Sequence, residues 1–251
     1  QNLTFLNDKQ AVATKARFTT CRRKPGPDWM PDWFMAADSI HFDQDANLGE
    51  ATEGQLVFQG VPILYAPSFT FPLNNERKSG FLPPTFAINS IGGVEMSLPY
   101  YWNIAPNMDA TISPRIMTKR GVQLNTEFRY LDYNYNGQIH GEYLPDDRVA
   151  GKSRSAYSIV HNQVFGQGFS GSLNLNGVSD DTYFTDLASR LSVVTQTNLL
   201  RQGTLTYGGG GWWSATLMAQ RYQTLQDPDQ PPVAIPYFRL PQLTVSAVRP
   251  D

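Results

Sequence analysis

The chain has 251 residues, a net charge of −2 and 41% hydrophobic residues. That balance offers no basic field for nucleic acid, and no run of about 18 apolar residues marks a membrane-spanning helix. It does not exclude a membrane protein built of strands, whose lipid-facing and water-facing residues alternate and average out. Aromatic residues make up 12%, enough to furnish the girdles of such a wall.

The first residues, "QNLTFLNDKQ", start in mid-pattern, and the last, "LTVSAVRPD", stop in one. The expectation is an internal piece of a longer protein. Residues 1–84 read as short strands with proline-rich joints. "FTTCRRKPGPDWMPDW" is a broken loop, "WFMAADSIHF" a strand, and "GQLVFQGVPILYAPSFTFP" two apolar strands around Gly60. Apolar residues on both parities suit a sandwich or jelly roll with a greasy interior. Candidate interior residues are Ile40, Phe42, Leu56, Phe58, Ile63 and Tyr65, with plain core packing the alternative. "NNERKSGFLPP" reads as a linker, because Ser79-Gly80 and Pro83-Pro84 are chain breakers.

From about residue 92 the pattern becomes strict alternation. Met108, Ala110, Ile112 and Ile116 interleave with Asp109, Thr111, Ser113 and Arg115. Val122, Leu124, Phe128 and Tyr130 do so with Gln123, Asn125, Glu127 and Arg129. Further runs follow at Phe169–Leu175, Trp213–Ala219 and Leu243–Ala247. Runs of about 9–12 residues match a tilted strand crossing a bilayer. Two readings fit: a soluble sheet over a core, or a barrel wall with lipid outside and water inside. Strand length and successive meander hairpins favour the wall. Residues 85–251 are therefore expected to be the first strands of a large antiparallel barrel, and 1–84 the end of the preceding domain.

Within it, "SLPYYWNIAPNMDATISPRI" is a hairpin with a proline on each arm, Pro99 and Pro114. Proline donates no backbone hydrogen bond and normally sits at edges or bulges. A three-residue loop, Ala105 to Asn107 with Asn107 left-handed, sets Ile104 opposite Met108, Trp102 opposite Ala110 and Tyr100 opposite Ile112. A two-residue loop would set apolar against polar residues and is excluded on that ground. The accepted register makes Pro99 and Pro114 diagonal neighbours, opposite Ser113 and Leu98.

Other motifs have bland readings. "GQGFSG", Gly166 to Gly171, has nucleotide-loop lettering but runs into a β pattern, without the helix that fingerprint needs. Gly208 to Gly211 lacks the Lys-Ser/Thr of a phosphate loop and reads as a turn. His41, His140 and His161 have no metal spacing, and one cysteine builds no zinc site. The "SDD" at 179–181 and "DPD" at 227–229 read as solvated loop. Asp109 and Glu127 are carboxylates without a demonstrable acid–base separation. No cofactor and no catalytic constellation is expected.

Several strings carry a resemblance: "VPILYAPSFTFP", "RKSGFLPP", "LPYYWNIAPNMDATISP", "EFRYL", "GEYLPDD", "VSDDTYFTDL", and "QTLQDP" leading to "PYFRLPQ". Together they resemble the LptD family, also called OstA or Imp, of outer-membrane lipopolysaccharide-assembly proteins. The resemblance implies an all-β architecture: a periplasmic jelly roll followed by a barrel of about 26 strands. It implies lipopolysaccharide as cargo, the lipoprotein LptE in the barrel lumen, and the bridge protein LptA at a part of the jelly roll that this sequence lacks. It implies a location in the outer membrane, with the N-terminal part in the periplasm. It also implies that Cys21 pairs with a cysteine outside this sequence, and that Pro99 and Pro114 belong to a lateral gate through which lipid leaves the lumen. The alternatives are another outer-membrane barrel, such as a porin or uptake channel, and a soluble carbohydrate-binding β protein.

Overall fold

The computed structural model describes residues 2–19, 21–23, 26, 29–74, 77–187, 197–209, 211–226 and 231–248. The "DPD" stretch at 227–229 falls outside them. The chain divides into two compact units, Gln1–Gly80 and Phe81–Asp251. Apart from one short helix, both are antiparallel β.

The first unit is a five-stranded meander: β1 (Asn2–Phe5), β2 (Gln10–Phe18), β3 (Trp33–Asp43), β4 (Leu48–Phe58) and β5 (Val61–Pro72), hydrogen-bonded in chain order. β3, β4 and β5 occupy the three apolar runs, and Gly60 turns the chain between the last two with a left-handed φ of 83°. Aromatic rings close over glycines. The Phe71 ring lies where a Cβ at Gly49 would be, and Phe69 does the same at Gly54. Phe42 and Phe71 meet edge to face at 6.3 Å between centroids.

The second unit is one long sheet. Its strands are β6 (Gly80–Phe81), β7 (Thr85–Asn89), β8 (Gly93–Ser97), β9 (Tyr100–Ala105), β10 (Met108–Met117), β11 (Gly121–Leu131), β12 (Tyr135–Asp147), β13 (Lys152–Gly166), β14 (Phe169–Val178), β15 (Asn198–Tyr207), β16 (Trp213–Thr224) and β17 (Arg239–Ala247). A helix of one turn, α1 (Tyr183–Leu187), lies between β14 and β15. From β10 to β17 every strand pairs with the next, and β8 and β9 both pair with β10 as one interrupted strand. The sheet is open, with β7 and β17 at its ends.

Register places like with like. Trp102, Ala110, Phe128, Ile139, Ile159 and Leu175 follow one another across six strands. On the other parity, Asp109, Arg129 and Gln138 do the same. A sheet that buried its apolar face in a protein core would leave those side chains dry and its charges wet. Here the reverse holds. Trp102, Val122, Leu124, Leu217 and Leu243 are exposed, whereas Glu95, Asp109, Gln123, Glu142 and Arg154 are buried. Charged groups on the polar face bond one another. Arg129 forks onto Asp109 at 2.8 and 2.9 Å, and Arg115 onto Glu95 at 3.0 and 2.7 Å.

Turn lengths differ between the two ends of the sheet. The connections at one end, 106–107, 132–134, 167–168 and 208–212, are all short, whereas the other end has short ones at 90–92, 118–120 and 148–151 and the two long ones at 179–197 and 225–238. β7 runs from the short-turn end towards the other.

Two expectations are corrected. The hairpin loop is Pro106-Asn107, closing Ala105 against Met108, and Asn107 is not left-handed. Pro106 fixes φ near −65°, which suits the first corner of an ordinary turn. The extra residue is absorbed instead by a bulge at the start of the ladder, after Met108. Trp102 therefore still faces Ala110, and Tyr100 faces Ile112. The second correction concerns the stretch read as a linker: within it Gly80-Phe81 pairs with β9, and β7, expected in the barrel, follows directly beside β8.

Candidate functional site

The prolines of three neighbouring strands lie at one height. β7 pairs with β8 from Thr85 opposite Ser97 to Asn89 opposite Gly93, and β8 pairs with β10 from Ser97 opposite Arg115. Between β8 and β9 the ladder stops at Leu98-Pro99, and before β7 it stops at Pro83-Pro84.

The bonds that remain show what is missing. Leu98 donates to the carbonyl of Pro114 at 3.2 Å, and Leu82 to the carbonyl of Pro99 at 2.8 Å. In an antiparallel narrow pair each residue donates to the other. Neither reciprocal bond can form, because the partners are Pro114 and Pro99 and have no N–H. The residues after Leu82 are prolines as well. The sheet is thus starved of donors along a belt crossing the strands of Pro83-Pro84, Pro99 and Pro114. Phe81 against the Tyr100 ring, at 5.2 Å between centroids, holds the belt by packing instead.

Further along the sheet, at the long-loop end of β10–β14, the strands are heavily bonded, and the contact reaches Arg115, next to Pro114, which donates to the Leu187 carbonyl at 3.0 Å. α1 lies against the polar face, and Tyr183, Phe184 and Leu187 are buried with Met117, Leu144, Ala156, Val178, Leu199 and Leu225. Beneath it Arg154, 1% exposed, forks onto Asp180 at 3.0 and 2.6 Å and reaches Asp186 at 2.7 Å and Asp147 at 3.3 Å. Arg120 pairs with Asp147 at 2.6 Å. The Tyr183 hydroxyl donates to Glu142 at 2.7 Å and accepts from Gln123 at 3.0 Å. Burial pushes the Tyr183 phenol up, and the Glu142 carboxylate adds to it. Burial also pushes the Asp180 carboxyl up, but hydrogen bonds from Arg154 and Ser179 and the Arg154 charge hold it below its ordinary value of 3.8. The "SDD" stretch is therefore an anchor of the loop rather than free solvated chain.

The remaining sequence candidates fall as follows. In the first unit Phe42 lines an open cavity of about 830 Å³ with Leu3, Ala11, Ala13, Arg17 and Leu73. Leu56 is buried, Ile40 and Phe58 are half-buried, and Ile63 and Tyr65 are exposed. Tyr65 donates to Glu53 at 2.6 Å. Cys21 is a free, half-buried thiol. Asp109 is held by Arg129 and Tyr101, and His161 by the Tyr130 hydroxyl at 2.8 Å. The "GQGFSG" stretch is the β13–β14 hairpin, turning on left-handed Gln167 and Gly168. A Cβ at Gly168 would come within 2.4 Å of the Gly209 nitrogen, so the two glycine motifs are turns in contact. Sequence reading missed the α1 anchor. Its signal was the spacing of Tyr183, Phe184 and Leu187, too short to register as a period.

A long antiparallel sheet with apolar side chains outward and bonded charges inward is the wall of a membrane β-barrel. Comparison with known proteins agrees. Residues 152–251 match the family model "LptD: LPS transport system D". The chain is 46% identical to the LPS-assembly protein LptD of Azoarcus sp. over 99% of its length, and 46% identical to that of Aromatoleum aromaticum over 98%. It is 47% identical to that of Chromobacterium violaceum over 97%. The chain spans about 30% of the length of each of these relatives. It belongs to the LptD family.

Proposed function

We propose that this chain is the junction segment of a lipopolysaccharide-assembly machine in the outer membrane. In this reading the first unit is the end of a periplasmic jelly roll that shelters acyl chains. The second unit is the opening part of a barrel that passes the lipid sideways into the bilayer. The observation that carries the reading is the inverted polarity of the long sheet, which suits lipid outside and sugar-bearing cargo inside. Each acyl CH₂ left in water costs roughly 0.8 kcal/mol, so cargo of this kind needs an apolar route followed by a wet one. The task is transfer, with no bond made or broken.

The gate is the proline belt. Residues 81–89 lie outside the Pro99 strand, so the edge that meets the closing strand is the Pro83-Pro84 strand. Pro99 and Pro114 then weaken the two strands behind it. A backbone group left unpaired in lipid costs several kcal/mol, and a belt of such sites lowers the cost of parting the seam there. A porin, which conducts along its axis, has no use for such a seam. LptE in the lumen and LptA at the far end of the jelly roll are the partners this reading expects. Cys21 is expected to bond a cysteine elsewhere in the full chain, in an oxidising compartment.

The test uses the full-length protein in cells. Substituting Ala at Pro84, Pro99 and Pro114 restores donors and should slow the arrival of new lipopolysaccharide at the surface while the barrel folds normally. Unchanged surface lipopolysaccharide with normal folding would contradict the gate.

A further inference from the structure

The apolar outer face ends, on the long-loop side, in two arginines. Arg201 on β15 and Arg221 on β16 are directly opposite one another. They share a parity with Gly203, Leu205 and Tyr207 on one strand and with Ala219, Leu217 and Ala215 on the other. Like charges placed directly across a sheet repel. No carboxylate of the flanking strands relieves them, because β13, β14, β15, β16 and β17 contain neither Asp nor Glu.

Arg201 is held in place. Its Nε donates to the Asn176 carbonyl at 2.9 Å and its Nη2 to Gln223 Oε1 at 2.6 Å. Its guanidinium lies over the Tyr157 ring, 5.9 Å from the centroid. The ground beneath is Gly177, where a Cβ would come within 2.7 Å of Nη2 and 2.6 Å of the Tyr157 ring. The glycine is what lets the guanidinium lie flat. Arg221 is exposed and makes no ion pair or side-chain hydrogen bond among the described residues.

The height of the pair is informative. The aromatic cluster at the short-turn end, with Phe169 and Trp213 rings each 4.7 Å from Tyr207, marks one boundary of the apolar band. From Tyr207 to Arg201, and from Trp213 to Arg221, the strands extend roughly 20–27 Å along their own axes, which a tilt of about 35–45° reduces to roughly 14–22 Å of height. The apolar band of such walls is about 25 Å tall. The arginines therefore stand in the far part of the apolar band, where their long side chains reach headgroup level.

We propose that Arg201 and Arg221 form a site on the outer wall for the phosphate of a membrane lipid in the leaflet on the long-loop side. A phosphate between them turns repulsion into charge-assisted hydrogen bonds, and the guanidinium fork fits phosphate oxygens in pairs. Lipid A bears such phosphates at its sugar end, so the site would hold cargo that has just left the seam or lipid already in the leaflet. The inference rests on the reading that the apolar face meets lipid.

The test is lipid retention by the full-length, detergent-purified complex. It compares the parent with Arg201→Gln and Arg221→Gln, singly and together, after incubation with phosphorylated lipid A, dephosphorylated lipid A or phosphatidylglycerol. The parent should retain phosphorylated lipid A several-fold better than the double variant, with the dephosphorylated form held equally weakly by both. Retention of phosphatidylglycerol as well would assign the site to lipid phosphate in general, and its absence to lipid A. Equal retention by parent and double variant would overturn the proposal. So would displacement of the lipid by millimolar inorganic phosphate with no dependence on the acyl chains. Flotation with vesicles is read separately: a full-length protein that stays soluble without detergent refutes the membrane reading itself.

Discussion

Around Arg154, in a few ångströms of the polar face, three carboxylates and a threonine hydroxyl converge on one guanidinium. Around Pro99, one strand in from the free edge of the same sheet, two narrow pairs each lack one of their two bonds. Both regions use ordinary antiparallel strands. They differ in how many donors the sequence supplies at each place in the sheet. A sheet can be locked in one place and left easy to part in another without any change of architecture, and the proposed gate uses that contrast.

The largest effect expected from breaking the contrast is at the locked end. Arg154→Ala leaves Asp147, itself fully buried, with one fewer cation. Removing one partner of a buried pair costs about 3–5 kcal/mol. Loss of the α1 anchor should appear as rapid proteolysis within the loop after β14, with the rest of the sheet protected. A loop as resistant as in the parent would show that apolar packing of Tyr183 and Leu187 suffices.

Next in size is polarity. Arg in place of Leu173, at the middle of the outward face of β14, should cost about 2–4 kcal/mol of folding stability in lipid. Arg in place of Ser172, one residue away and facing the other side, should cost far less. Equal costs in a denaturant titration from bilayers would mean that the faces are not distinct.

The seam should respond more modestly. Pro99→Ala restores a single donor, and one net hydrogen bond contributes about 0.5–1.5 kcal/mol. Hydrogen exchange at Leu82 and Leu98 should slow, with no change at the α1 end. Exchange unaltered at both amides would place the weakness elsewhere.

The smallest effect is that of pH. Asp180 has its pKa lowered in the folded protein. Its contribution is present above its ordinary value of 3.8 and fades as pH falls through the lower, folded value. The α1 loop should therefore be indifferent between pH 5 and 8 and loosen only below about pH 4. Loosening at pH 6 would assign control to another group.

Much of this was legible in the sequence. The register of β9 on β10 followed from the need to put Trp102 with Ala110 and Tyr100 with Ile112. The outward face followed from period-two alternation. The pairing of Gly80-Phe81 with β9 was not legible, because Ser79-Gly80 and Pro83-Pro84 read as breaks and only the neighbouring Pro99 strand shows that the second break is aligned. The Arg154 cluster joins residues from β12, β13 and the loop at α1, and no local spacing announces it. Nor did the lettering of Arg201 and Arg221 stand out until pairing set them opposite one another.

The central claim is that the long sheet has lipid on its apolar face and water on its polar face. The most direct measurement is spin-label accessibility along β14 in the full-length protein in bilayers, one label at a time from Phe169 to Asn176. The account expects collisions with dissolved oxygen to peak at 169, 173 and 175 and collisions with a water-soluble nickel chelate to peak at 170, 172 and 174. Labels on both parities equally open to the chelate, or the opposite alternation, would contradict it.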